Sequence, residues 1–131
     1  MYVPCVRIWD LIFTAGSGPL RHGKPAYQGK VGREVSLQQG HEAARITAIN
    51  LLSTLKSAVG DLDKIERIVK VNGFVASAPG FNQQPEVING ASELLEEVLG
   101  EKGKHARSAI GVNELPMNIP VEIEMIVQVR D

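Results

Sequence analysis

The residues best equipped for chemistry lie in the last quarter of the chain, within "KHARSAIGVNELPMNIPVEIEMIVQV", residues 104–129. If residues 106–113 form a strand, side chains alternate between its faces and Arg107 shares its face with Ala109, Gly111 and Asn113. Such small groups leave room beside a guanidinium, whose planar fork of donors suits two-point capture of a carboxylate. The competing explanation is an ion pair with a surface acid, the commoner fate of a lone arginine, and Arg107 alone does not decide between them. On the next alternating stretch Glu122 and Glu124 share a face; one could hold or activate a water as general base, or both could be merely solvated. A hairpin centred near residue 116 would set Glu122 opposite position 110 and Arg107 opposite position 125. A site using both residues would then need a subunit interface.

The other polar signals are weaker. Asn89 stands in "VINGAS" on a helical stretch, where Asn-Gly costs about 1 kcal/mol or more against alanine. Close packing of Gly90, the preferred explanation, or a contact by Asn89 would compensate. Gly16 and Gly18 suggest a phosphate cradle, but Arg21 stands where a third glycine is required and Pro19 bars a helix start, so the dinucleotide pattern fails. Arg21, Lys24, Lys30 and Arg33 form a locally basic stretch with no acid between Asp10 and Glu34; it could meet RNA or an anionic ligand, or be a solvated loop. His22, His41 and His105 lack metal-ligand spacing and pair with no candidate nucleophile, so no metal site is expected.

Bulk composition narrows the class. Fourteen basic and fifteen acidic residues leave a formal net charge of −1, which argues against a nucleic-acid or membrane-surface protein. A single cysteine, Cys5, excludes an intramolecular disulfide and fits a reducing, cytoplasmic compartment. No apolar run approaches the roughly 18 residues of a membrane span.

These residues must be positioned by a small set of elements. Residues 3–8 and 11–15 read as a hairpin turning at Trp9-Asp10, and the glycine- and proline-rich residues 16–33 as a long surface loop. Ser36 and Gln39 make a capping box for a helix running to Val59, with Gly60 as its stop. Ala44, Ala48, Leu51, Leu52, Leu55, Ala58 and Val59 form its apolar stripe. Residues 65–77 read as a central strand and 82–99 as a second helix capped by Asn82, with Val87, Leu94, Leu95, Val98 and Leu99 facing inward. Strands 106–113 and 121–130 close the chain. The prediction is one α+β domain, residues 1–131, of order β-β-α-β-α-β-β, with two helices layered on one mixed sheet. The uncovered sheet face would be buried by neighbouring subunits.

"ARSAIGVNELP…VEIEMI", "LIFTAGSGP" and "VING", together with Tyr2 ahead of Gly16, resemble the Rid family over nearly the whole chain. This is the YjgF-like family of reactive-intermediate imine/enamine deaminases, long labelled endoribonuclease L-PSP. The glycine-rich loop and "QPEVINGASELLEEV" are similar to a divergent YjgF-like subgroup. The resemblance implies a chorismate-mutase-like protomer, a homotrimer with clefts between subunits, and cofactor-free hydrolysis of 2-imino or 2-enamino acids to 2-keto acids and ammonia. It implies that Arg107 binds the substrate carboxylate and Glu122 positions the attacking water. Tyr2, Ala15, Gly16, Asn89 and Ala109 would line the cleft. Ala109 replaces a frequent cysteine, Ala15 a serine, and Trp9-Asp10 the usual glycine-asparagine turn. A non-catalytic binder of small carboxylates using the same cleft is the alternative, and RNA cleavage a third possibility.

Overall fold

A computed structural model describes residues 1–131. Its strands and helices, in chain order, are β1 (Cys5–Ile8), β2 (Leu11–Thr14), β3 (Leu20–Arg21), β4 (Lys24–Pro25), α1 (Leu37–Val59), β5 (Ile65–Ala76), α2 (Gln84–Leu99), β6 (Ala106–Val112) and β7 (Val121–Val129). The main sheet runs β1-β2-β7-β5-β6, with β5 and β6 parallel and every other pair antiparallel. Both helices pack on one face, giving the expected two-layer α+β architecture.

Helix α1 starts where its capping box dictates: Ser36 Oγ accepts from the Gln39 amide at 3.1 Å, and Gln39 Oε1 accepts from the Ser36 amide at 2.9 Å. Its buried stripe includes Ala44, Ala48, Leu51, Leu52, Leu55 and Val59, whereas Ala58 faces solvent. Helix α2 has Gln83 rather than Asn82 at its N-cap position, with no side-chain cap, and Pro85 sits in its first turn, where its missing amide has no intrahelical partner to lose. Val87, Leu94 and Leu95 are buried as expected, but Val98 lies on the solvent side.

Strand β7 alternates cleanly. Val121, Ile123, Met125, Val127 and Val129 are buried under the helices, and Glu122, Glu124, Ile126 and Gln128 are half-exposed on the other face. On β5 the buried residues Ile65, Ile68 and Val71 are spaced by three, because register shifts at Ile65/Arg67 and Ile68/Lys70 insert extra residues against β7.

The expected hairpin between the last two strands does not form. β5 lies between them, so Arg107 aligns with Val71 and then Met125, while Ile110 aligns with Phe74 and then Glu122. β5-α2-β6 is a parallel crossover unit, which places β6 beside β5 and leaves β7 to run on its other side.

The glycine-rich stretch is not simply a surface loop. His22 and Gly23, both with positive φ, turn the small β3–β4 hairpin. Val31 is completely buried and bridges Val35 and Ser77, so this arm seals the end of β5.

Candidate functional site

Arg107 sits on β6, an edge strand, at a position level with the buried Val71, so its side chain turns toward the helical layer. Its Nη1 donates to Asn89 Oδ1 at 2.8 Å and to Ser92 Oγ at 3.1 Å. These acceptors lie three residues apart on α2, hence on one face of the helix. Ser92 Oγ is in turn 2.9 Å from His105 Nε2, and His105 Nδ1 is 2.6 Å from the Gly103 carbonyl oxygen. Burial pushes the Arg107 guanidinium below its usual value. No carboxylate comes within ion-pair distance of it, although Arg7, Arg21, Arg33, Arg45 and Arg130 all have acidic partners.

An open cleft of about 400 Å³ with no hydrophobic residue in its wall adjoins this group, lined by Asn89, Ser92, Glu93, Glu96, His105 and Arg107 along with Gly103 and Lys104. Its position differs from the expectation. The small residues beyond Arg107 on β6 make room for the protein itself: Ala109 packs against the core, Gly111 faces Gln84 and Ser77, and Asn113 accepts from Lys30 Nζ at 3.1 Å. The free space lies on the other side of the guanidinium, between α2 and residues 103–105.

Asn89 and Gly90 both turn out to be used. Asn89 holds Arg107, while a Cβ at Gly90 would collide with the His41 carbonyl of α1. The helices therefore approach more closely than any larger residue permits, which accounts for an Asn-Gly pair inside a helix.

Glu122 belongs to the opposite face of the sheet, across from Phe74. Burial, and secondarily the charge of Glu124, push its carboxyl above the ordinary glutamate range. Glu124 itself accepts from Asn72 Nδ2 at 3.1 Å. Gly16 lies directly beside Glu122, so closely that a Cβ there would strike Oε2. Ala15 is fixed next to it by a hydrogen bond from its backbone amide to the Pro4 carbonyl oxygen at 2.8 Å. Tyr2 is 81% exposed and makes no hydrogen bond. The chain thus carries two separate groups: Arg107 with Asn89, and Glu122 with Gly16 and Ala15.

Ser92 was not singled out from the sequence and His105 was weighed only as a metal ligand or partner of a nucleophile, though both had a readable signal. His105 precedes Arg107 by two on a strand, and Ser92 follows Asn89 by three on a helix. The basic stretch is largely neutralised: Arg21 pairs with Glu42 at 3.5 Å, Lys30 with Glu114 at 3.3 Å, and Arg33 with Glu34. No three histidine, cysteine, aspartate or glutamate side chains converge as a metal-binding group. No helix is long and apolar enough to cross a membrane.

Comparison with known proteins places this architecture. Residues 1–128 match the model of the family described as "YjgF/chorismate_mutase-like, putative endoribonuclease". Protein TCP17 of Trypanosoma cruzi is 42% identical over 131 residues, spanning 99% of this chain and 82% of that protein. The crystal structure of Atu1372, a protein of unknown function from Agrobacterium tumefaciens, superposes with a TM-score of 0.96 at 48% identity, over 98% of this chain and 82% of that one. The YjgF gene product from E. coli shares the fold at a TM-score of 0.69 and 24% identity, over 99% of this chain and 89% of its own. The chain belongs to the YjgF/chorismate mutase-like family.

Proposed function

We propose that this protein hydrolyses reactive 2-imino or 2-enamino acids, such as 2-iminobutanoate and 2-iminopropanoate, to 2-keto acids and ammonia. The observation that carries the reading is Arg107, a half-buried guanidinium at the wall of a polar cleft with no carboxylate partner in its own chain. A desolvated cation of this kind is a ready anchor for a substrate carboxylate. The imine carbon is already electrophilic. Water adds to it, the nitrogen takes up protons, and collapse of the carbinolamine expels ammonia and leaves the ketone. Glu122, held partly out of water beside Gly16, is suited to orient that water and accept its proton.

Arg107 and Glu122 cannot meet within one protomer, because the sheet stands between them. The site is therefore shared: Arg107 of one protomer faces Glu122 of its neighbour in a homotrimer. Val6, Phe13 and Ile126, aligned in register on the uncovered sheet face, supply an apolar contact for that assembly. No cofactor enters this chemistry.

The test uses freshly generated 2-iminobutanoate. Purified protein accelerates its disappearance with matching release of 2-oxobutanoate, and Arg107→Ala abolishes the acceleration. No acceleration by the wild type would reject the reading. A second reading, a non-catalytic carboxylate binder, is favoured by the fact that one chain holds the Arg107 anchor apart from Glu122; tight 2-oxobutanoate binding without turnover would establish it. RNA cleavage has little physical support, since most of the basic stretch is ion-paired.

A further inference from the structure

We propose that Ser92 and His105 are positioning residues that hold the Arg107 guanidinium in register with the cleft, His105 serving as a neutral imidazole protonated on Nδ1. This rests on the reading of Arg107 as the carboxylate anchor.

The hydrogen-bond directions follow from the end of the chain. A carbonyl oxygen only accepts, so the 2.6 Å contact to Gly103 requires a proton on His105 Nδ1. In the neutral ring Nε2 is then an acceptor, and the Ser92 hydroxyl 2.9 Å away donates to it. With its hydrogen committed, Ser92 Oγ offers lone pairs toward the Arg107 Nη1 hydrogens at 3.1 Å. Asn89 Oδ1 accepts from the same nitrogen at 2.8 Å. One end of the guanidinium is thus clamped by two neutral oxygens, while Nε and Nη2 make no hydrogen bond within the chain. A single hydroxyl could rotate freely; the imidazole behind it removes that freedom.

The surroundings keep the ring neutral. Desolvation is the largest influence lowering the His105 pKa, the Arg107 charge adds to it, and the Gly103 bond and Glu96 oppose them. Charged groups around the ring are Arg107 from β6, Glu93 and Glu96 from α2, and Lys104 from the preceding turn. Glu93 is engaged by His41 at 3.2 Å and Lys104 by Glu101 at 2.9 Å. Protonation would place a donor on Nε2, reverse the bond to Ser92 and set a second cation against Arg107. The anchor would turn out of its seat, so carboxylate binding should weaken as pH falls through the lowered imidazole value.

Two measurements on the full-length protein test this. In the ligand-free protein, two-bond ¹H–¹⁵N spectra at pH 7 should show His105 as the Nδ1–H tautomer, the minor form of free histidine. Calorimetric titration with 2-oxobutanoate, which stays ionised throughout, should show the wild-type Kd rising as pH falls below 6.5. At pH 8, Ser92→Ala and His105→Leu should each weaken binding about fivefold, while His105→Gln, which keeps an acceptor in reach of Ser92, recovers most of the loss and has no pH dependence in this range. An Nε2–H tautomer, unchanged affinity in Ser92→Ala, or tighter wild-type binding at lower pH would overturn the positioning chain. The expected tautomer without any 2-oxobutanoate binding would overturn the anchor reading, and with it the purpose assigned to the chain. Deaminase turnover with the wrong tautomer would overturn the chain alone.

Discussion

Arg107 and Glu122 stand on opposite faces of one sheet, two strands apart, the first turned toward α2 and the second toward the uncovered side. A one-residue slip of β7 that moved Glu122 would expel that strand's buried row, and a slip of β6 that moved Arg107 would turn Ala109 away from the core. The separation is therefore fixed by the fold, and a joint role requires a neighbouring protomer.

Assembly should accordingly be sensitive to a charge placed on the uncovered face. Ile126→Lys puts an ammonium in the Val6–Phe13–Ile126 row without touching the core beneath the helices. Light scattering should find the proposed trimer for the wild type and a monomer for the variant, with the same far-ultraviolet circular dichroism for both. A variant that remains trimeric would place the contact elsewhere.

Arg107→Lys keeps the charge but loses the planar fork, so it cannot hold Asn89 and Ser92 with one nitrogen while presenting two others to a carboxylate. The expected result is about a tenfold rise in KM for 2-iminobutanoate, on the order of 1.4 kcal/mol. Equal KM values for lysine and arginine would reduce the group to a point charge.

Glu122→Gln should cost activity and add stability. The raised carboxyl pKa means that the folded state binds this proton more tightly than the unfolded chain does. Its favourable contribution is present in full below the unfolded value and is lost as pH rises through the folded one. At pH 7 the ionised wild-type group is therefore the less stable form, and glutamine should stabilise by roughly 0.5 kcal/mol, a small figure because solvent screens a partly exposed group. The difference should vanish in acid. Urea midpoints at pH 7 and pH 3.5 check the sign.

Gly90→Ala sets helix propensity against packing. Alanine is the better helix former by about 1 kcal/mol, yet its methyl meets the His41 backbone carbonyl. Overpacking against backbone should win, with a net loss of about 2 kcal/mol in urea denaturation at unchanged m-value. A stabilised variant would show that α1 and α2 can separate freely.

Much of this was legible wherever one local rule acts alone. The Ser36–Gln39 box, the Gly60 stop and the alternation of β7 are local, and each stands where the residues indicate. The β6–β7 connection misled because a short turn-rich stretch suits a hairpin. The deciding information was non-local: β7 pairs antiparallel with β5 rather than with β6, which puts β5 in the gap. Asn82 looked like a cap because of its type, but a cap must also sit one residue before the first helical turn, and Gln83 does. The small residues after Arg107 correctly signalled missing volume. What fills it, Gln84 reaching across from α2, lies more than twenty residues away in the chain. Asn89 could be tied to Arg107 by resemblance alone; the Ser92–His105 contact needed the helix and strand brought together.

The pairing of β2 with β7 carries a consequence for biosynthesis. Residues 11–13 find their partners only at 126–128, more than a hundred residues later. On the ribosome the leading hairpin must wait roughly ten seconds for the strand it docks on, given usual elongation rates. Ile12, fully buried once β7 is in place, spends that interval uncovered, a surface that a holding chaperone would have to shield.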